Sequence, residues 1–263
     1  MAKTLKATIA SACIAFTTAC QSSELMLPEF EPLEGYAPED RVRIVHDHQW
    51  LTFGRSGTTD DKTCSPVLVA PDVIVLADHC TEGPDLKTRE PGDYTFYIGF
   101  DDGDYVAKSR ILAIHAPDTS INAPIIGNEG DVKFSSYDVA YMKLAEPLGD
   151  IYGYETIAPK RLDTLPPGNY YDGFQLGNGL VYGPFLTGDL SVEFNHHFIQ
   201  EDRLVLEGEI SYGDSGGALM IRRDWDGKPG QERYLYGIIS QLTHGRSKVM
   251  ASTIAGERIP DFK

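Results

Sequence analysis

No stretch of this chain carries a sustained helical period, and that limits what it can fold into. Apolar residues instead fall in short runs separated by turn residues, among them 26 glycines and 16 prolines. Val67–Ala70 and Val73–Leu76 are two such runs, broken at Pro71-Asp72. Tyr94–Phe100 and Tyr105–Ile114 flank the turn-like Asp101-Asp102-Gly103-Asp104. Others begin at Val42, Trp50, Asp138, Gly173, Tyr182, Leu190, Leu204 and Tyr234. Many short strands at close spacing with Gly and Pro turns specify an all-β barrel or sandwich. A chain of 263 residues is long enough for one large all-β domain or two small ones.

The chemistry concentrates in Gly213-Asp214-Ser215-Gly216-Gly217-Ala218-Leu219. Glycines admit backbone conformations closed to other residues and let N–H groups approach a substrate. Such N–H groups can stabilise an oxyanion forming beside the Ser215 hydroxyl. By itself the stretch also reads as a turn between two strands. A serine nucleophile needs a base, and the base needs a carboxylate to orient it. Val73-Ile74-Val75-Leu76-Ala77-Asp78-His79-Cys80 offers a histidine at the end of an apolar strand. Tyr137-Asp138-Val139-Ala140-Tyr141-Met142-Lys143-Leu144 offers an aspartate at the head of another.

In the order His79, Asp138, Ser215, these segments resemble the three signatures of the chymotrypsin/trypsin-like serine endopeptidases. The resemblance covers roughly residues 41–255. It implies two antiparallel β-barrels, about 41–150 and 151–263, with the active site in the cleft between them. Ser215 would be the nucleophile, His79 the general base and Asp138 its orienting carboxylate. The N–H groups of Gly213 and Ser215 would form the oxyanion hole. The substrate would be a protein or peptide, the enzyme a monomer, and neither metal nor organic cofactor would be needed. Two other readings stay open on sequence. An idle relative would use the fold as a binding or adaptor module. Gly213-x-Ser215-x-Gly217 also fits the nucleophile elbow of α/β-hydrolases, although only His244 follows the serine.

The chain departs from the family at several points. Asp78 stands before the histidine where the family has a small residue, and the cysteine pair bracing the specificity pocket is missing. Glu209, six residues before Ser215, falls where the pocket floor would lie and would favour Lys or Arg substrates; a solvated loop residue is the equal alternative. Arg43-Ile44-Val45 resembles a zymogen cleavage bond without the usual glycines. After cleavage there, the Ile44 amine would pair with Asp214, as in the family.

Residues 1–19 have the form of an export signal, with Lys3 and Lys6 followed by an uncharged apolar stretch from Ala7 to Ala19. Cys13 lies inside it, leaving Cys20, Cys64 and Cys80. In an exported chain Cys64 and Cys80 read as a disulfide, and in the resembled family a bridge here pins the strand carrying the histidine. A metal site is the alternative, disfavoured by the absence of a Cys-x-x-Cys pair. Thr18-Ala19-Cys20-Gln21 resembles a bacterial lipoprotein signal, with Cys20 as the lipidated residue; an ordinary signal cut nearby is the alternative. Residues 20–40, acidic and proline-bearing, read as a linker, so the expected location is the periplasmic face of a membrane or, without the anchor, the soluble periplasm or exterior. A net charge of −16 argues against nucleic acid as partner. Neither His46 and His48 nor His196-His197 has a third metal ligand in view, and Asp101–Asp104 is too short for a calcium loop.

Overall fold

The computed structural model describes residues 30–32, 42–44, 54–58, 63–82, 90–116, 137–161, 172–177, 186–193, 199–200, 203–207, 213–222, 233–242 and 248–262. The expected signal, Cys20, Glu209, His46, His48, His196, His197 and His244 lie outside them. The first half of the chain supplies strands β1 (Phe30–Pro32), β2 (Val42–Ile44), β3 (Gly54–Thr58), β4 (Thr63–Cys64), β5 (Val67–Ala70), β6 (Val73–Leu76), β7 (Tyr94–Ile98), β8 (Ala107–His115) and β9 (Ala140–Leu144). The second supplies β10 (Asp172–Gly177), β11 (Thr187–Glu193), β12 (Ile199–Gln200), β13 (Arg203–Glu207), β14 (Ala218–Arg222), β15 (Arg233–Leu242) and β16 (Lys248–Thr253).

These strands form two sheets, ordered β4-β3-β7-β8-β9-β6-β5 and β1-β2-β11-β10-β14-β15-β16-β13-β12. All the strand pairings described are antiparallel. The all-β, two-sheet architecture is the one expected. It rules out the α/β-hydrolase alternative, which needs a parallel sheet fed by crossover helices.

Local sequence accounts for the first sheet. In β7 the residues Tyr94, Phe96 and Ile98 face inward and alternate with half-exposed Thr95 and Tyr97, as one buried face requires. β5 and β6 are continuous apolar runs, and all four residues of β6 are buried. Asp102 (φ 48°) and Gly103 (φ 95°) make the two-residue turn between paired Asp101 and Asp104, a mirror-image turn that suits a hairpin twist. Asp101 is held by Arg43, whose Nη2 lies 2.8 Å from each carboxylate oxygen.

The chain passes from the first sheet to the second between β9 and β10. The Glu155 N–H donates to Leu68 O of β5 at 2.8 Å. Its carboxylate accepts from Arg233 of β15 at 2.6 and 2.9 Å, so one buried residue grips both sheets.

Two boundaries differ from expectation. Phe30–Pro32, inside the expected linker, is a strand, and both it and Val42–Ile44 join the second sheet rather than the first. The Arg43–Ile44 bond therefore lies in a strand paired on both sides. Ile44 is 1% exposed, and its N–H donates to Leu186 O at 2.9 Å.

Candidate active site

Strand register puts the histidine beside the aspartate. β6 pairs with β9 so that Leu76 lies opposite Ala140. Three residues past Leu76, a single 3-10 turn (Asp78–Thr81) presents His79; two residues before Ala140 stands Asp138. His79 Nδ1 lies 2.7 Å from Asp138 Oδ2, and the His79 main-chain N–H donates to Oδ1 at 3.0 Å. Burial alone would raise the Asp138 carboxyl. The His79 charge and hydrogen bonds from His79 and Ser240 outweigh it and hold the group below the ordinary carboxylate value. An ionised Asp138 accepts only, so the neutral imidazole carries its proton on Nδ1 and leaves a lone pair on Nε2.

The second sheet grips Asp138 twice. The Ser240 hydroxyl, on β15, donates to Oδ2. Ser252 Oγ, on β16, accepts the Asp138 main-chain N–H at 3.0 Å. Neither serine stands out in the sequence, because a serine in a strand has no signature until its partner is known.

The Ser215 turn is fixed from both sides. Gly213 and Gly216 have φ of 98° and 82°, conformations that glycine adopts without steric cost. The Gly216 N–H donates to Ile239 O at 2.7 Å, and the Gly217 N–H to Asp214 O at 2.8 Å. From the first sheet, Ser65 sends its N–H to Ser215 O and its hydroxyl to Gly213 O. A Cβ on Gly216 would sit 3.0 Å from Leu76 Cβ and 3.2 Å from Ala77 N. The serine turn thus packs against the strand end from which His79 projects. Ile239 and Ser240, adjacent on β15, hold the turn and the aspartate respectively.

Cys64 and Cys80 form the expected disulfide, with Cα atoms 6.3 Å apart. It ties Ser65's neighbour to His79's neighbour. Of the residues singled out in the sequence, His79, Asp138, Gly213, Ser215, Cys64 and Cys80 converge here.

By sequence, no protein-family model and no curated protein matches the chain. Solved structures do. A Glu endopeptidase in complex with MPD aligns with a TM-score of 0.61 at 15% identity, covering 82% of this chain and 91% of that one. The protease Anisep from Arthrobacter nicotinovorans aligns at 0.56 and 16%, covering 79% and 91%. The fold is chymotrypsin-like. At this identity the likeness concerns the fold, and the chemistry of this chymotrypsin-like chain has to be argued from its own residues.

Proposed function

We propose that the protein is a serine endopeptidase acting through an acyl-enzyme. The observation that carries this reading is the His79–Asp138 pair standing where the Ser215 turn packs against β6. Ser215 Oγ attacks the scissile carbonyl carbon while its proton passes to His79 Nε2. Asp138 orients the ring and stabilises the imidazolium. The N–H groups of Gly213 and Ser215 receive the oxyanion. Collapse breaks the C–N bond as His79 returns the proton to the leaving amine. Water, deprotonated by the same nitrogen, then hydrolyses the ester.

Labelling with a serine-directed phosphonate tests the reading directly. Wild-type protein should be modified at Ser215, whereas Ser215→Ala should be neither labelled nor active yet stay folded. His79→Ala should cost a comparable factor, because such residues act as a unit. An adaptor with an idle site would resist labelling. Substantial turnover by Ser215→Ala would refute the mechanism.

Glu209 supports Lys or Arg before the scissile bond, whereas one structural neighbour is named a Glu endopeptidase. A peptide panel with Lys, Arg or Glu there separates the two. The placement we infer is an exported bacterial lipoprotein, anchored at Cys20 and acting as a monomer. Two acyl chains, at about 0.8 kcal/mol per buried methylene, suffice for stable anchoring. Wild type should then fractionate with membranes and Cys20→Ser should not.

A further inference from the structure

The disulfide and the histidine together make a latent metal site. The two sulfurs of Cys64 and Cys80 and one ring nitrogen of His79 all lie within 4.8 Å of one another. His79 Nε2 is 3.9 Å from Cys80 Sγ. Zinc–sulfur and zinc–nitrogen bonds at a tetrahedral angle separate N from S by about 3.6 Å. The nitrogen facing the sulfur is the one left with a lone pair. The other, Nδ1, is already bound to Asp138 at 2.7 Å. That is the outer-shell arrangement that fixes the tautomer and raises the basicity of a zinc-bound histidine. Both cysteines are buried while the His79 side chain is 33% exposed, so a fourth position can face water.

We propose that the reduced form of this protein binds one Zn²⁺ through Cys64, Cys80 and His79 Nε2, and that the bound ion blocks the site. A dithiol reductant opens the bridge. Its own two sulfurs become joined, while Cys64 and Cys80 each gain one electron and one proton. Zn²⁺ then displaces the two thiol protons and takes the Nε2 lone pair of neutral His79. With that lone pair engaged, His79 has nowhere to accept the Ser215 proton. Only this inhibitory consequence rests on the proposed function; the metal site rests on the three ligands. The bridge thereby acquires a second role, keeping the base free of metal.

The full chain carrying Ser215→Ala isolates binding from activity. After reduction with a phosphine, which takes up the oxygen of a water molecule, one equivalent of Co²⁺ should give a thiolate-to-metal charge-transfer band and tetrahedral visible bands. Zn²⁺ should bleach both and raise the melting temperature of the reduced protein. Oxidised protein should give neither band, and His79→Ala should weaken the site at least tenfold. In the wild-type background, one equivalent of Zn²⁺ should lower the activity of reduced enzyme at least tenfold, with recovery on adding a chelator. Oxidised enzyme should be unaffected at the same concentration. The proposal is overturned if reduced and oxidised protein bind alike, if no thiolate band forms, or if Zn²⁺ leaves the melting of the reduced chain unchanged. A cobalt spectrum without any peptidase activity would instead refute the enzymatic reading and leave the metal site standing.

Discussion

Ser65 holds Ser215 by the main chain: its N–H donates to the Ser215 carbonyl at 2.8 Å, while its hydroxyl reaches Gly213 O at 2.6 Å. Two carbonyls of the serine turn are therefore fixed by one buried residue of the other sheet. Their orientation sets the direction of the N–H groups between them. Ser65→Ala keeps the first bond and strips the second, leaving the Gly213 carbonyl short of a partner. A buried acceptor left so costs about 1–3 kcal/mol. Peptidase assays and urea unfolding should show kcat falling more than KM rises, with stability reduced by about that amount.

Asp138 makes stability depend on acid in a defined direction. Its folded-state value lies below the ordinary one, so the unfolded chain binds the proton more readily. The stabilisation is complete above the unfolded carboxylate value of about 3.9 and disappears as pH falls through the lower, folded one. Urea unfolding of wild type and Asp138→Asn should differ most near neutrality and converge below about pH 4. The same substitution should cut kcat by about 10⁴, as loss of the orienting carboxylate does in such triads.

Gly216 allows a comparison of contact with conformation. Alanine there has both an unfavourable φ of 82° and a Cβ pressed on Leu76 and on the Ala77 main chain. Gly103 has φ of 95°, and a Cβ added there would meet nothing within 4 Å. Both substitutions should lose about 1–2 kcal/mol to left-handed backbone. Only Gly216→Ala should also reduce kcat/KM, by tenfold or more, because the clash falls between the serine turn and the strand leading to His79.

Glu257 binds two phenols with one oxygen. Tyr137 and Tyr141 both donate to its Oε2, the latter at 3.0 Å. Burial above all pushes both hydroxyls well above the ordinary tyrosine value, aided at Tyr137 by Tyr141 and the Glu257 carboxylate and at Tyr141 by the carboxylate alone. Spectrophotometric titration should leave two tyrosines un-ionised until the protein unfolds in alkali. Glu257→Gln removes the charge and should destabilise the fold by about 1.5–3 kcal/mol. Because Tyr137 adjoins Asp138, a smaller fall in kcat should accompany it.

The parts of the site legible in the sequence were those where one residue type sits at the end of a strongly patterned strand. His79 follows the buried run of β6 and Asp138 stands just before β9, so apolar pattern and chemistry marked the same places. Ser65, Ser240 and Ser252 carried no such mark, since a hydroxyl becomes informative only once its long-range partner is known. Strand β1 was illegible in a different way, and for β2, expected as a strand from Val42, the hidden part was the sheet it joins. Three residues are too few to show a period, and β2's partner in β11 lies far along the chain. Tertiary pairing decided their place, for β1 against a composition that looks like linker.

The exchange of segments between the halves has a consequence for timing. Arg43 lies opposite Thr187 in the second sheet and grips Asp101 in the first, while Ser252 and Glu257 reach back to residues 137–141. At about 5–20 residues per second, a ribosome needs roughly 7–30 seconds to travel from Arg43 to Thr187. Throughout that interval β2 has no neighbour in β11. The His79–Asp138 pair lacks its outer support until residues beyond 252 have emerged. A nascent chain thus carries the chemical groups of the site without the scaffold that orients them until Ser252 and Glu257 have emerged.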